Sequence, residues 1–434
     1  MSTTPLTLSI AGQPTPITLP QVPGSRGHVG VDIRELNQSG FCSYDPGFAN
    51  TAGCQSAISW IDTENSVLLH RGYPVDQLAR QCDFLEVAYI MLRGDAPDEA
   101  SYQTFRETIT RHTLVHEQIA RMCSGFRRDS HPMALMCALV GALAAFYHDV
   151  LDVENPEHRA LAATRLLSKM PTIAAMSYKY TIEQPAAYPR NDLSYAGNFL
   201  QMLFAIPAEK YVLNPVIEQA MNQILVLHAD HGQCASTTTV RAAGSSGANL
   251  FACVAAGLAS LWGPMHGGAN ESSMRMLEEI ESVDQVPAFL RQAKRDPQAF
   301  RRLGFGNSRY RHRDPRADIL RETSHRVLAE VGMSDRLLQV AMALEDVALT
   351  DPYFVENGLS PSVDFYTAVI LKAMNLPSSM FAVVTAVGRT VGWVAHWNEM
   401  HQAPLTIYRP RQIYVGEDYR NYVSRRGEPS ANPR

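Results

Sequence analysis

The sequence predicts an all-α fold with a small β-rich segment at its N-terminus. From about residue 75, apolar positions recur at helical spacing through most of the chain. Strand-like alternation is concentrated before that point, in residues 6–19 and 58–61. Apolar residues make up 46% of the chain and charged residues 19%, which is typical of a folded globular protein and argues against a disordered one.

The β-rich segment begins with a predicted hairpin. Residues 6–10 alternate apolar and polar side chains, residues 11–14 break the alternation, and residues 17–19 resume it. Pro14 and Pro16 favour an edge position for the second strand, because proline cannot donate a hydrogen bond to a neighbouring strand.

One helix start is marked by the dipeptide Asn214-Pro215, in which a capping side chain precedes proline at the first helical position. Apolar residues then recur at helical spacing, and His228 falls on the same face. His228 and His231 are therefore predicted at the C-terminal end of a helix that faces the core. A hydrogen-bonded core histidine is the favoured interpretation of His228, whereas His231, followed by Gly232, is better placed to reach a cavity.

Length and charge pattern predict more than one compact unit. The chain has 434 residues, more than one ordinary domain contains, and charge increases in residues 272–345. We predict a β-rich segment in residues 1–60, a large helical domain in residues 61–275 and 389–434, and a small helical domain in residues 276–388.

Composition also argues against several classes of function. The formal net charge of -5 does not indicate a nucleic-acid-binding protein, and there is no glycine-rich loop of the Rossmann or P-loop kind. The apolar runs 133–147 and 250–265 are shorter than the roughly 20 residues that a bilayer requires, so helices buried on all sides are predicted there. The seven cysteines form no metal-ligand cluster. No export signal is visible, and the predicted location is the cytoplasm, without a metal and without nucleic-acid or membrane partners.

The segment around His266 is the strongest indication of a functional site. Residues 262–271 read Trp-Gly-Pro-Met-His-Gly-Gly-Ala-Asn-Glu. The Gly-Pro break ends an apolar run, and Gly267 and Gly268 allow another backbone or a ligand to approach closely before the next helix. A histidine beside a helix N-terminus can offer a neutral nitrogen to a substrate oxygen. The alternative is a capping glycine and a solvated loop histidine.

Five motifs occur in order along the chain. They are His228-Ala-Asp-His231, Gly263-Pro-Met-His266-Gly-Gly-Ala-Asn270-Glu271, Asp314-Pro-Arg316-Ala, Val363-Asp364-Phe365-Tyr366 and Gly388-Arg389-Thr-Val-Gly-Trp393. Together the motifs resemble the citrate synthase family, most closely its bacterial hexameric (type II) enzymes, over nearly the whole chain. The resemblance implies an almost all-helical fold in which a large and a small domain close over the substrates. The implied substrates are acetyl-CoA and a 2-oxo diacid, and no bound cofactor is implied.

The resemblance implies catalytic roles for Asp364 and His266. Asp364 matches the family's base, which removes a proton from the methyl group of the thioester, and a carboxylate suits this task when burial lifts its pKa. His266 matches the group that hydrogen-bonds the thioester oxygen as enolate charge develops. CoA contacts are implied for Arg311, Gly267 and Gly268.

Three arginines match those that hold the acidic ends of oxaloacetate: Arg316, Arg389 and Arg409. A planar guanidinium suits this task because it pairs two-pronged with a carboxylate. Arg409 would come from the neighbouring subunit, which implies a homodimer at least and allows a hexamer. His231 matches a further contact to the oxo acid. Surface ion pairs are the alternative interpretation of the arginines.

The loop before Asp314 departs from the family pattern. The family has Gly-Phe-Gly-His-Arg-Val-Tyr, and this chain has Gly-Phe-Gly-Asn-Ser-Arg-Tyr in residues 304–310. Asn307 stands where the family places its second catalytic histidine, and asparagine can donate a hydrogen bond but cannot carry a charge. Further departures gather around the same pocket, among them Gly232 and Cys234.

Two acceptors and one non-catalytic function stay open on this basis. Oxaloacetate would give citrate, as in the tricarboxylic acid cycle. Phosphonopyruvate, which has a phosphonate in place of the distal carboxylate, would give 2-phosphonomethylmalate, a step of phosphonate biosynthesis; Ser308, Arg309 and Arg313 favour such an anionic acceptor. The alternative is a catalytically silenced homologue that senses CoA or an oxo acid or serves as an oligomer subunit, against which the retained Asp364 and His266 argue.

The resemblance extends to a possible regulatory site. The positions that match those binding inhibitory NADH in the hexameric bacterial type are Arg111, His112, Thr113, Tyr147, Arg165 and Lys169. Leu114 and Ala208 depart from that pattern.

Overall fold

The computed structural model describes residues 4–11, 15–296, 304–306, 310, 313–332, 336–422 and 425. The chain forms two compact units, one of Met1–Gly53 with Tyr408–Arg434 and one of Cys54–Ile407. The division of the helical part into a large and a small domain stays a prediction.

The smaller unit contains the predicted hairpin. Strand β1 (Leu6–Leu8) pairs antiparallel with β2 (Ile17–Leu19), with Leu6 opposite Leu19, so this prediction is confirmed. A second antiparallel pair follows, β3 (Gln21–Val22) with β4 (Gly30–Val31). A short 3-10 helix, Arg34–Ser39, ends at Gly40, whose φ of 79° suits glycine.

The larger unit begins with a three-stranded antiparallel sheet and continues as helices. The strands are β5 (Ser59–Asp62), β6 (Val67–His70) and β7 (Tyr73–Pro74), in that order across the sheet. The helices are α1 Val75–Gln81, α2 Phe84–Arg93, α3 Glu99–Thr110, α4 Glu117–Met122, α5 Pro132–Phe146, α6 Pro156–Thr181, α7 Tyr195–Phe204, α8 Pro215–His228, α9 Ala235–Gly244, α10 Leu250–Leu261, α11 Ala269–Glu279, α12 Val286–Ala293, α13 Pro315–Val331, α14 Arg336–Thr350, α15 Pro352–Glu356, α16 Val363–Ala373 and α17 Phe381–Met400. The predicted all-α class is confirmed.

Local sequence explains where many of these helices begin. Asn214 caps α8 by accepting from the backbone N–H groups of Val216 (2.9 Å) and Ile217 (3.3 Å), as predicted. Short polar side chains cap other helices in the same way, because an oxygen at this position satisfies free N–H groups of the first turn. These caps are Asp83, Asp98, Asn155, Ser194, Asn249, Asp314, Asp351 and Ser362.

Helix α17 lies at the centre of the larger unit and packs against α2, α6, α8, α9 and α10. Gly388 and Gly392 allow its close approach to the end of α8. A Cβ at Gly388 would lie 2.8 Å from the Leu225 carbonyl oxygen, and one at Gly392 would lie 2.3 Å from the Ala229 carbonyl oxygen. The contact fixes the backbone on either side of Arg389.

Two apolar helices correspond to the predicted buried runs, and one of them differs from the prediction. Helix α5 is buried or half-buried except at Ala145, whereas α10 exposes Ala252 and Ala259. Alanine tolerates either environment, so an alanine-rich run does not reveal its exposed face. The stretch Ser378–Met400 is the one described helix that is long and apolar enough to cross a membrane, but 89% of its apolar window is buried inside the fold, as is usual for a central helix.

Candidate active site

Side chains from several elements of the larger unit converge on Asp364. The charges of Arg316, His266, Asp314 and Arg389 all act on its carboxylate. These residues come from α13, the loop before α11, and α17. Three positions predicted from separate motifs, His266, Arg316 and Arg389, thus lie close to Asp364.

Asp364 lies in the first turn of α16. Ser362 Oγ caps this helix by accepting from the backbone N–H groups of Asp364 (3.1 Å) and Phe365 (3.4 Å). Burial raises the pKa of Asp364 to about 6, although the nearby Arg316 guanidinium and His266 imidazole lower it. A carboxylate with such a pKa is ionised near neutral pH and is still basic enough to accept a proton.

The Asn270 amide, on α11, holds the Asp364 carboxylate in place. With its oxygen toward Thr385 Oγ1 (3.2 Å), its nitrogen donates to Asp364 Oδ1 (2.6 Å) and to the Asp364 carbonyl oxygen (3.1 Å). The opposite orientation would set the amide oxygen against two oxygens that cannot donate to it. Because Asn270 is fully buried, this hydrogen bond fixes the direction of the carboxylate.

We expect Asn270→Ala to move the acid limb of the pH–activity profile to higher pH by about one unit. The amide stabilises the ionised carboxylate, so its removal raises the pKa of Asp364. Steady-state rates across the acid and neutral range measure this shift. Asn222→Ala is the matched control, because the Asn222 amide bonds the backbone of Phe84 and Cys82 instead. An unmoved limb in Asn270→Ala would rule out the positioning role.

His266 is half-buried in the turn before α11, with its Nε2 2.8 Å from Ser236 Oγ. The indole N–H of Trp393 donates to the same oxygen at 3.2 Å, and indole has no acceptor atom. When the Ser236 hydroxyl proton turns to His266 Nε2, the histidine proton lies on Nδ1. That tautomer presents an N–H donor, the group that stabilises a developing enolate oxygen. This bonded histidine differs from the solvated loop histidine considered as the alternative.

Arg316 and Asp314 form a buried ion pair at the start of α13. Asp314 accepts from Arg316 Nε (3.0 Å) and Nη2 (2.7 Å), and Arg316 Nη1 donates to the Leu227 carbonyl oxygen (3.3 Å). Burial alone would lower the pKa of Arg316, but the Asp314 carboxylate more than reverses this and raises it. Of the five N–H groups that a guanidinium carries, two remain for an acid group of a substrate.

Arg389 is buried on α17 and is anchored by two hydrogen bonds. Its Nε donates to the His228 carbonyl oxygen at 2.7 Å, and its Nη1 donates to Cys234 Sγ at 3.2 Å. His228 is the predicted core histidine: its Nδ1 donates to the Ile224 carbonyl oxygen at 2.9 Å, and burial lowers its pKa to about 3. The anchored Arg389 keeps three N–H groups for a ligand.

His231 is buried beside the Arg316–Asp314 pair. Its Nε2 lies 3.0 Å from the Tyr310 hydroxyl, and its charge is among those that lower the pKa of Asp314, which burial alone would raise. Helix α8 ends at His228, so His231, which was predicted at the end of the same helix, lies beyond it, where the chain turns at Gly232, whose φ is 62°.

Gly267 and Gly268 are required by the loop itself. Their N–H groups donate to the carbonyl oxygens of Leu261 (2.8 Å) and Gly263 (3.2 Å). A Cβ at Gly267 would lie 2.7 Å from the Leu261 carbonyl oxygen, and one at Gly268 would lie 2.9 Å from Pro264 Cα. The close approach predicted from the glycines is therefore made by the loop backbone, and the CoA contact stays a prediction.

Asn307 and Arg311 lie outside the described residues, as do Ser308 and Arg309. Arg313 is described, and its Nη1 pairs with Asp318 Oδ1 at 2.7 Å. Arg313 is not among the groups that most affect the pKa of Asp364; the groups that lower this pKa are Arg316, His266 and Arg389. Arg313 thus gives no described support to the predicted anionic acceptor.

The chain is similar to known proteins over most of its length. The family model "Citrate synthase, C-terminal domain" matches residues 47–411, most of the chain. The chain belongs to the citrate synthase family. Three solved citrate synthases are similar over most of both chains. Two of them are that of Pyrobaculum aerophilum (32% identity, 86% of this chain and 92% of that one, TM-score 0.79) and that of Thermotoga maritima (28% identity, 87% of this chain and 97% of that one, TM-score 0.73).

 The Thermoplasma acidophilum structure is the ternary complex of citrate synthase with carboxymethyl coenzyme A and oxaloacetate, and it is 26% identical, covers 88% of this chain and 99% of that one, and has a TM-score of 0.79.

Arg409 belongs to the other compact unit of this citrate synthase family member. It is exposed in residues 404–422, which form no helix or strand. Large apolar side chains are exposed in the same segment, among them Tyr414 (71%) and Val415 (91%). Exposed apolar side chains in one segment are common where another chain binds. They are compatible with a contribution of Arg409 to a neighbouring subunit, which stays a prediction.

The residues predicted to bind NADH lie together between the end of α3 and α6. Lys169 Nζ donates to the carbonyl oxygens of His112 (2.5 Å) and Leu114 (2.8 Å), and the Arg165 guanidinium lies 4.6 Å from the centre of the Tyr147 ring. A cavity of about 360 Å³ opens beside two of the predicted residues, Arg111 and Thr113. Its lining residues are Thr110, Arg111, Thr113, Leu114, Pro189, Arg190, Asn191 and Asp192.

Three site residues of this family member had no role assigned from the sequence: Ser236, Asn270 and Cys234. Asn270 belongs to the motif of residues 263–271, and Cys234 departs from the family sequence after His231. Their roles depend on which side chain faces them across the fold. The spacing of residues along the chain does not contain that information.

Proposed function

We propose that this protein joins acetyl-CoA to an oxaloacetate-like 2-oxo acid and releases CoA. The observation that carries the proposal is the buried Asp364 carboxylate, with its pKa raised to about 6, among His266, Arg316 and Arg389. A base, a hydrogen-bond donor and two guanidinium groups are what this condensation needs. Membership of the citrate synthase family supports the same reaction class.

Each group has a defined task in the proposed reaction. Asp364 takes a proton from the methyl group of the thioester, while His266 Nδ1–H donates to the thioester oxygen as it gains charge. The enol carbon attacks the ketone carbon of the acceptor, and the ketone oxygen takes a proton from solvent. Water then hydrolyses the thioester: its oxygen forms the carboxylate product, one of its protons goes to the thiol of CoA and the other to solvent. Asp364 returns its proton to solvent, and both products leave. Arg316 and Arg389 hold the acid groups of the acceptor throughout.

The acceptor is either phosphonopyruvate or oxaloacetate, and Asn307 is the sequence observation that favours the former. Consumption of acetyl-CoA with each acceptor in parallel, with mass analysis of the product, separates the two. Preference for oxaloacetate would mean that Asn307 can replace the family's histidine. Preference for phosphonopyruvate would place specificity in residues 307–313. Absence of thiol release with a panel of 2-oxo acids would contradict the condensing activity and favour the sensor or oligomer-subunit alternative.

We expect kcat/KM to rise with pH through a midpoint near 6, the pKa to which burial raises Asp364. The base works only in its ionised form, so the rate is low below this pKa and reaches a plateau above it. Initial rates at low acetyl-CoA concentration and saturating acceptor measure the midpoint. A midpoint near the ordinary aspartate value of about 4 would contradict the raised pKa.

The remaining features of the proposal concern assembly and location. We propose a cytoplasmic homodimer or hexamer of the bacterial type, in which Arg409 completes the neighbouring site, and chemistry that needs no bound cofactor or metal. No group of three or more His, Cys, Asp or Glu side chains suited to a metal was found within the described ranges. Sedimentation of the purified protein tests the oligomeric state.

We also propose that the cavity beside Arg111 binds NADH as an inhibitor. Arg111 lines this cavity and supplies positive charge for the phosphates of NADH, and Arg165 and Lys169 are the other basic residues at the predicted positions. Titration monitored by nicotinamide fluorescence tests this proposal, and Arg111→Ala should weaken the binding. Absence of binding at physiological concentrations would contradict it.

A further inference from the structure

Cys234 stands between the acceptor arginine and the histidine. Its Sγ accepts a hydrogen bond from Arg389 Nη1 at 3.2 Å and lies 3.4 Å from Ser236 Oγ and 3.2 Å from Thr237 Oγ1. The same Ser236 hydroxyl lies 2.8 Å from His266 Nε2. Cys234 therefore contacts Arg389 directly and is linked to His266 through the Ser236 hydroxyl.

The Ser236 hydroxyl has one proton and two neighbours that can accept it, Cys234 Sγ and His266 Nε2. If the sulfur is a thiolate, the hydroxyl donates to it, and His266 donates from Nε2 to Ser236 Oγ. The Nδ1 lone pair then faces the substrate side and cannot stabilise an enolate oxygen. If the sulfur is a thiol, its S–H donates to Ser236 Oγ, the hydroxyl donates to Nε2, and Nδ1 carries the proton. Trp393 donates to Ser236 Oγ in both states, so neither state leaves a group without a partner.

Arg389 decides between the two states. Burial alone would raise the pKa of the Cys234 thiol, but the Arg389 guanidinium, followed by His266, holds it well below its ordinary value. Within the described part of the chain, Arg389 and His266 are the charged or titratable side chains of neighbouring elements that act most on this sulfur, and its own helix adds the hydroxyls of Ser236 and Thr237. A second anion at Arg389 would compete for that stabilisation and favour the protonated sulfur.

We propose that Cys234 is a positioning residue that links occupation of Arg389 by the acceptor to the tautomer of His266. The inference rests on the proposed condensing function. When an acid group of the acceptor pairs with Arg389, the Ser236 proton passes to the sulfur and the Nε2 proton of His266 passes to Ser236. One proton from solvent binds Nδ1. The site thus takes up one proton, and His266 becomes a donor to the thioester only when the acceptor is bound.

The test compares wild type, Cys234→Ser, Cys234→Ala and the control Cys253→Ser. Cys253 is buried, its Sγ donates to the Ala248 carbonyl oxygen at 3.3 Å, and the Trp397 side chain lies beside it, so its variant reports on general effects of losing a buried thiol. Calorimetric titration with oxaloacetate and with phosphonopyruvate, in buffers of different ionisation enthalpy, measures proton uptake. The affinity for carboxymethyl coenzyme A with and without each acceptor measures the coupling.

Wild type and Cys253→Ser should take up about one proton with the preferred acceptor and bind carboxymethyl coenzyme A about 10-fold more tightly in its presence. Cys234→Ser should show neither effect, because a hydroxyl stays protonated yet keeps the hydrogen bonds to Arg389 and Ser236. Equal proton uptake and coupling in wild type and Cys234→Ser, or neither effect in wild type, would overturn the inference.

Failure of the two proposals can be told apart. If wild type shows uptake and coupling but releases no thiol from acetyl-CoA, the condensing function fails and the link through Cys234 stands. If wild type turns over and Cys234→Ser matches it in uptake and coupling, the link fails and the function stands. Folding of each variant is checked by its thermal unfolding, and Cys234→Ser serves where Cys234→Ala is unstable.

Discussion

Asp364→Asn is expected to lower kcat by about 10³-fold and to leave the protein folded. Asparagine has the shape of aspartate and can still bond the Asn270 amide, but it cannot accept the methyl proton of the thioester. Thiol release at saturating acetyl-CoA and acceptor measures the loss. Asp129→Asn is the control, because that carboxylate is 68% exposed and pairs with Arg127 on the surface. Its activity should stay close to wild type, and a comparable loss there would contradict a specific role for Asp364.

The same variant should be at least as stable as wild type at neutral pH. Burial raises the pKa of Asp364 from 3.8 to about 6, so the folded protein binds this proton more tightly than the unfolded chain does. This proton stabilises the fold fully below the pKa that Asp364 has in the unfolded chain. The stabilisation is lost as the pH rises through the pKa that Asp364 has in the folded protein. Asparagine removes this dependence. The free energy of unfolding of Asp364→Asn, relative to that of wild type, should therefore increase by about 2 kcal/mol between about pH 4 and pH 7. Urea titrations at both pH values test this, and a variant destabilised at pH 7 would contradict the raised pKa.

Those features that depend on a few neighbouring residues could be predicted from the sequence. The N-terminal hairpin follows from alternation over residues 6–19, and the start of α8 follows from Asn214-Pro215. His228 and His231 were placed at the end of that helix by the same periodicity. The motifs carrying His266 and Asp364 were recognised because the family resemblance preserves their order along the chain.

Contacts between distant residues could not be predicted in this way. Cys234 and Arg389 lie 155 positions apart, and their hydrogen bond exists because glycines of α17 let that helix approach the end of α8. The bond between Asn270 and Asp364 likewise requires two helix starts to face each other. The exposed face of α10 was missed because its alanines fit both buried and exposed positions.

Asp314→Ala is expected to lower the free energy of unfolding by about 3–5 kcal/mol. Its carboxylate makes two hydrogen bonds to the Arg316 guanidinium, at 3.0 and 2.7 Å, with both side chains almost fully buried. Its removal leaves a buried positive charge without a partner and also removes the cap of α13. Asp351→Ala is the matched control, because Asp351 also caps a helix and pairs with Lys294 at 2.7 Å, but at a site 27% exposed. Its loss should be clearly smaller than that of Asp314→Ala, and an equal loss in the two variants would contradict the role of burial.

A double variant separates stability from function at this pair. Asp314→Leu with Arg316→Met replaces both charges by apolar groups of similar size, and such replacements of buried ion pairs are often neutral or stabilising. The double variant should therefore recover most of the stability lost in Asp314→Ala. It should not recover acceptor binding, because the two N–H groups that Arg316 keeps for a substrate are gone. If calorimetry showed wild-type affinity for the acceptor in the double variant, Arg316 would be a structural residue. Recovery of stability without affinity would mean that the buried pair is retained because Asp314 holds Arg316 in the orientation that the acceptor requires.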